Sequence, residues 1–308
     1  IGYLSVRFFP AQEQSASPVI STKDETKHMQ IYMMDSDKTL VPLSIPVSEE
    51  MSEEDKLALM FSYMSGKQEI KGFAPLFTKE CTLQSSSIKN GIVSLYFDDS
   101  LKNYDKENEL RILEAITWGA TQFHDIEQVK LYLNDKQLTS MPNAQTPIPE
   151  ILNRSIGINH FETSTTTLHD SASLTVFYTK KVQGNEYMVP KSKRVAQSQG
   201  DALKASVENI LSDISVSSAL DQPLYADDIK VSSFDVYDGS LIVNLNKNIL
   251  ASNRTVKQDV YNALVLSLAA LPGIEKVEVR VDGVTVSPKD QKEDMVSVYA
   301  LTYNEVQF

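Results

Sequence analysis

Apolar and polar residues alternate along MQIYMMDSDKTLVPLSIPV around a polar turn, which predicts a hairpin of strands near Met29 to Met34 and Leu40 to Val47. Proline donates no backbone hydrogen bond, so Pro42 and Pro46 place the second strand at a sheet edge or interrupt it. A helix follows over Ser52 to Ser65, with Ser52 as N-cap and Glu53, Glu54 and Asp55 in the first turn, where the helix dipole favours negative charge. Asn90-Gly91 separates two alternating stretches and tolerates the positive φ of a two-residue hairpin turn. Beyond it Val93, Leu95 and Phe97 alternate with Ser94 and Tyr96. The spacing of Ile112, Leu113, Ile116, Ala120 and Phe123 predicts a helix over about Asp105 to His124 with one buried stripe. Val129, Leu131 and Leu133 alternate in a final strand.

The pattern then repeats. IEQVKLYLND begins at Ile126 and IEKVEVRVDG at Ile274, an offset of 148 (274 minus 126). The same offset relates VPLSIPV to VPKSKRV, Pro75-Leu76-Phe77 to Pro223-Leu224-Tyr225, and Asn90-Gly91 to Asp238-Gly239. The second copy is expected to hold a hairpin over Leu174 to Val195, with a turn around Gln183-Gly184-Asn185 longer by three residues and Pro190 again at an edge or break. Its helices are expected over Asp201 to Ile214 and Thr255 to Leu271. Leu203, Val207, Ile210, Leu211 and Ile214 line the first, and Val260, Tyr261, Leu264, Leu268 and Leu271 the second. Thr255 with Gln258 has capping-box spacing, and Gly273 suits a helix stop. Each copy reads β-β-α-β-β-α-β, an α+β unit with two helices packed on a sheet. The expected organisation is a tether over 1–28, a first domain over 29–138, a linker over 139–171, a second domain over 172–286 and a C-terminal extension over 287–308. MVSVYALTYNEVQF, from Met295, is expected to add a strand beyond the repeat.

Composition narrows the function. Lys and Arg number 29 against 41 Asp and Glu, a net charge of -12, which opposes binding to nucleic acid and to anionic lipid. A single cysteine, Cys81, excludes an internal disulfide and a thiolate metal cage, and is expected to be structural, at most half-buried in a strand. Apolar runs fall short of the roughly 20 residues that cross a bilayer. The chain starts at Ile1, so a signal or anchor is expected upstream, with the polar stretch after Pro10 as its tether.

Candidate chemistry is sparse. His28, His124, His160 and His169 lack zinc-motif spacing, and His169-Asp170 among serines supplies triad residue types without triad geometry. Asp35-Ser36-Asp37 lacks the rest of a calcium loop and reads as a turn. Asp98 and Asp99 lie on opposite faces of a strand end, a poor acid/base pair. Asn153-Arg154-Ser155 and Asn253-Arg254-Thr255 match the glycosylation triplet, the second better explained as a helix cap. With 11 glycines there is no phosphate-cradling loop, and Trp118, which becomes Leu266 in the second copy, reads as core. No residue is assigned to catalysis, a cofactor, a metal or a defined binding surface.

The VPxSxxV segment, the Pro-Leu-aromatic tripeptide, the Gly-flanked hairpin and the IExVxxxxD/G strand, in this order and doubled, resemble the GerM domain (GerMN) of spore-forming bacteria over about 29–138 and 172–286. The resemblance implies a non-enzymatic sporulation and germination lipoprotein, anchored through a cysteine upstream of Ile1 and facing the space between mother cell and forespore. It also implies partners among the stage II/III channel proteins, with self-association. The order α-β-β-α-β from Ser52 to Leu133, and from Asp201 to Val281, is similar to the ring-building motif of that complex. A module binding peptidoglycan, and a wall hydrolase, are the alternatives.

Overall fold

The computed structural model describes residues 21–22, 28–160, 171–196, 202–212, 220–225, 228–252, 254–288, 295–297 and 301–306. In chain order β1 (Ser21–Thr22) precedes the first copy, whose elements are β2 (His28–Met34), β3 (Leu40–Pro46), α1 (Glu53–Met64), β4 (Leu83–Lys89), β5 (Ile92–Phe97), α2 (Glu109–Ala120), β6 (Gln128–Leu133) and β7 (Lys136–Gln137). The second copy supplies β8 (Ser171–Val182), β9 (Asn185–Ala196), α3 (Ala202–Leu211), β10 (Val231–Tyr237), β11 (Ser240–Leu245), α4 (Gln258–Ala269), β12 (Lys276–Val281), β13 (Val284–Thr285), β14 (Val296–Ser297) and β15 (Leu301–Thr302).

Two equivalent sheets run β4-β5-β6-β7 and β10-β11-β12-β13, and β14 also pairs with β12. In each, a hairpin feeds a parallel crossover: β5 pairs parallel with β6 through α2, and β11 with β12 through α4. Asn90 (φ 52°) with Gly91 (φ 75°), and Asp238 (φ 48°) with Gly239 (φ 71°), close the hairpins in the left-handed conformation that a two-residue turn needs. That turn fixes register, so Val93, Leu95 and Phe97, and equally Leu241, Val243 and Leu245, all point into the core.

The hairpins β2–β3 and β8–β9 are not edges of these sheets. Their ladders run within each hairpin, with single bridges outside it such as Met34 to Ala74 and Thr179 to Asp221, and they lie across the helices, β2 against α1 and α2, and β8 against α3 and α4. Each repeat therefore has three layers, with helices between a sheet and a hairpin. The layering explains why α2 is buried almost all round, Glu109, Glu114 and Thr117 included, where periodicity predicted one apolar stripe.

Boundaries shift in physically clear ways. Ser52 caps α1, its hydroxyl accepting from Asp55 N–H at 3.1 Å. The expected helix over 105–124 contracts to Glu109–Ala120, its first turn replaced by a separate 3₁₀ turn over Lys106–Asn108 that Asp105 caps. The expected capping box at Thr255 fails: α4 starts at Gln258, its N-cap is Lys257, and no side chain caps it. Asn253, Ile214 and the His169-Asp170 pair lie outside the described residues.

Candidate functional site

The two repeats meet along a seam between β3 and β9. Two buried asparagines, Asn159 and Asn304, hold it with matching bonds. Asn159 Oδ1 accepts from Leu40 N–H at 2.8 Å, while its Nδ2 donates to the carbonyls of Leu40 and Pro190, both at 2.8 Å. Asn304 Oδ1 accepts from Met188 N–H at 2.8 Å, while its Nδ2 donates to the carbonyls of Met188 at 2.8 Å and Pro42 at 2.7 Å. Leu40 and Pro42 correspond to Met188 and Pro190 at the repeat offset, so each clamp grips its own hairpin twice and the other hairpin once. Such reciprocity is the pattern of an isologous, two-fold contact. Both asparagines have φ 54°, a conformation their short amide tolerates.

The segment after each repeat thus performs one task. Asn159 and Asn304 differ by 145 (304 minus 159), three short of the main offset. The neighbours of the clamps match too, since Ser192 N–H donates to Ile158 O at 2.8 Å and Ser44 Oγ donates to Tyr303 O at 2.6 Å. The strand expected from Met295 is two short ones, β14 paired with β12 and β15 paired with β1, and Asn304 follows them. Helix α2 steadies the first clamp: Glu114 Oε2 accepts from Asn159 N–H at 3.1 Å and pairs with Arg111 at 2.7 Å. Burial pushes the Glu114 carboxyl up, against the pull of Arg111.

The three extra residues of the second hairpin do not enlarge its turn. They lengthen both strands, which close through Gln183 and Gly184, and the longer arm reaches the first repeat. Buried Lys180 inserts into the turn after β2, its Nζ lying 2.5 Å from Asp35 Oδ2, 3.0 Å from Asp37 Oδ2 and 2.9 Å from Thr39 Oγ1. Tyr187 meets Phe73 edge-on at 5.3 Å.

Where the C-terminal ends of α2 and α4 approach each other, the seam encloses a partly open cavity of about 120 Å³. Trp118, Gln122, Phe177, Leu266 and Ala270 supply walls from both repeats. Arg154 and Tyr303 come from the two clamp segments. The hydroxyls of Tyr32 and Tyr303 both donate to Gln30 Oε1 at 3.2 Å. Burial pushes Tyr32 up to about 12 and Tyr303 well above the ordinary phenol value, although nearby Arg154 opposes both. The Arg154 guanidinium lies 4.7 Å over the Trp118 ring and donates to Thr121 through Nε (2.9 Å) and Nη2 (3.3 Å).

Known proteins share this doubled architecture. The family model described as Germane, for sporulation and spore germination, matches residues 30–139 and again 175–287. The chain belongs to the Germane family. Within it, the chain is 30% identical over 279 residues to the spore germination protein GerM of Bacillus subtilis (strain 168), covering 88% of this chain and 76% of that protein. The solved tandem GerMN domains of the sporulation protein GerM from Bacillus subtilis superimpose with a TM-score of 0.76 at 28% identity, covering 88% of this chain and 96% of that one.

In this Germane chain the reactive residue types serve structure. Cys81 is buried in the turn before β4 rather than in a strand, its N–H bonded to Thr78 O, and burial pushes its thiol up to about 12. Asp98 caps a 3₁₀ turn and Asp99 pairs with Lys102 at 2.7 Å, both at a solvated strand end. Asp35 accepts from Asp37 and Thr39 N–H in its turn, besides Lys180. Asn153 accepts from Ser155 N–H, while His124 contacts exposed Asp125 and His160 contacts the Ile156 carbonyl. Among the described residues no cluster of His, Cys, Asp and Glu is arranged to hold a metal ion. Trp118 is buried as expected, with its indole N–H on Gly157 O at 2.9 Å, yet it also faces the cavity. His28 and Arg154 read as linker residues and Tyr303 as part of an added C-terminal strand, because their cavity joins three segments distant in the sequence.

Proposed function

We propose that this protein is a non-enzymatic assembly factor of sporulation. On this reading it is held at the membrane by an N-terminal lipid anchor in the space between mother cell and forespore. There it joins or positions components of the stage II/III channel complex. Family membership supports the sporulation setting. The observation that carries the assembly role is the division of edges. The proline-bearing strands β3 and β9 are consumed by the seam, whereas β4 and β10 each stand at the outer end of a sheet with backbone groups available to a partner strand. The chain then presents two similar α/β surfaces.

The test is photo-crosslinking in sporulating cells from positions on β10, such as Ser233 and Asp235, and on β4, such as Gln84, all exposed. Recovery of channel proteins as neighbours is expected. Recovery of wall enzymes alone defeats the reading.

A second reading has one observation in its favour. Tyr96 and Tyr132 stack at 4.7 Å with an interplanar angle of 22° on the sheet face opposite the helices, an arrangement suited to a sugar ring. Retention on purified cell wall that is lost in Tyr96→Ala/Tyr132→Ala would favour glycan binding over assembly.

A further inference from the structure

We infer that the cavity on the seam is a binding site for a small carboxylate with an apolar tail. Arg154 is the starting point. Its Nε and Nη2 are spent on Thr121, and among the described residues no carboxylate lies within ion-pair distance of it. The cavity lining holds no Asp or Glu, although the whole chain carries a net charge of -12. A half-buried guanidinium without a counter-ion is costly, and an anion beside it repays that cost. Arg154 is held over the Trp118 ring and tied at two nitrogens, so its direction is fixed before any ligand arrives.

The remaining walls select the kind of anion. The Tyr32 and Tyr303 hydroxyls share one acceptor, Gln30 Oε1, so one phenol can turn to donate to a ligand oxygen while the other keeps the glutamine satisfied. One guanidinium and one neutral hydroxyl suit a single negative charge better than a dianion. Phe177, Leu266, Ala269 and Ala270 supply apolar lining to the same cavity. At a water's share of about 30 Å³, a cavity of about 120 Å³ has room for about four waters, or for a ligand of several heavy atoms. Since residues of both repeats and of both clamp segments line it, an occupant touches both halves of the chain at once.

The chain has one tryptophan, and it forms the cavity wall, so its fluorescence reports occupancy directly. Butyrate is titrated at constant ionic strength beside its neutral isostere butyramide and inorganic phosphate. A saturable change in Trp118 emission is expected with butyrate in the millimolar range, as suits so small a ligand. Binding of butyramide and phosphate is expected to be at least tenfold weaker. Arg154→Gln should abolish saturation, and Tyr303→Phe should weaken it severalfold. A response to butyrate that does not saturate, or that butyramide or phosphate equals, overturns the site as proposed. Butyrate binding that survives Arg154→Gln overturns it as well. If Arg154→Gln does not fold, the comparison of the three ligands on the unaltered protein, together with Tyr303→Phe, still decides.

Discussion

Removing one clamp tests whether the seam unites the repeats. Asn159→Gly deletes the amide while leaving the left-handed backbone unstrained, so it isolates the hydrogen bonds. It strands the N–H and carbonyl of Leu40 and the carbonyl of Pro190 in a buried site. At about 1 kcal/mol for each lost bond, the expected cost is about 3 kcal/mol. Asn159→Ala adds left-handed strain and should cost about 1 kcal/mol more. Asn304→Gly strands the N–H and carbonyl of Met188 and the carbonyl of Pro42, so it should cost the same. Equilibrium unfolding in urea, followed by Trp118 fluorescence and by far-UV circular dichroism, measures each. Because either loss lets the seam open, the double variant should fall short of the sum by more than about 1 kcal/mol, and the two probes should separate as the repeats unfold independently. Single costs below about 0.5 kcal/mol, or strict additivity, would refute the claim that the clamps act jointly.

Three other outcomes follow from particular contacts. Buried Glu109 accepts from the N–H groups of Asn143, Ala144 and Thr146 and from the Tyr104 hydroxyl; burial raises its pKa, but these donors prevail and hold it down to about 2. A depressed carboxylate stabilises the fold above its unfolded value and loses that contribution as pH falls from about 4.5 towards 2, so the difference in urea midpoint between wild type and Glu109→Gln should shrink over this window. Lys180→Met leaves Asp35 buried with only its turn N–H donors and should cost about 3 kcal/mol, part of which Asp35→Asn restores; a double-variant cycle showing no coupling would contradict the ion pair. Gly119 lets Met60 pack directly on α2, so Gly119→Ala should destabilise by about 1–3 kcal/mol in thermal melts despite the better helix propensity of alanine.

The repeat and its elements were legible because turn chemistry and periodicity are local. Asn90-Gly91 and Asp238-Gly239 set the hairpin register, and register decides which residues face inward. The seam was not legible, because its signal is spread across distant segments at a shifted spacing. Asn159 and Asn304 match at an offset of 145, so a search at 148 passes over them. Asn159 also lies in a stretch whose prolines and polar residues resemble a linker, and Asn304 in a C-terminal stretch that reads as an added strand. The fate of Pro42 and Pro190 was half legible: their missing N–H led to the expectation of an edge or a break, but each hairpin ladder runs unbroken through its proline, and only the fold shows side-chain amides donating to their carbonyls. The cavity was hidden for the same reason, as Trp118, Arg154 and Tyr303 converge only once both clamps are in place.

The clamp positions also set an order of events during biosynthesis. A chain leaving the ribosome releases β3 and Asn159 early, and Asn159 can grip Leu40 at once, but it must wait for Pro190. The second grip needs Asn304, which emerges after every other partner in the seam. The two halves can therefore fold in succession as they appear, while their locking together is withheld until translation has passed the final clamp.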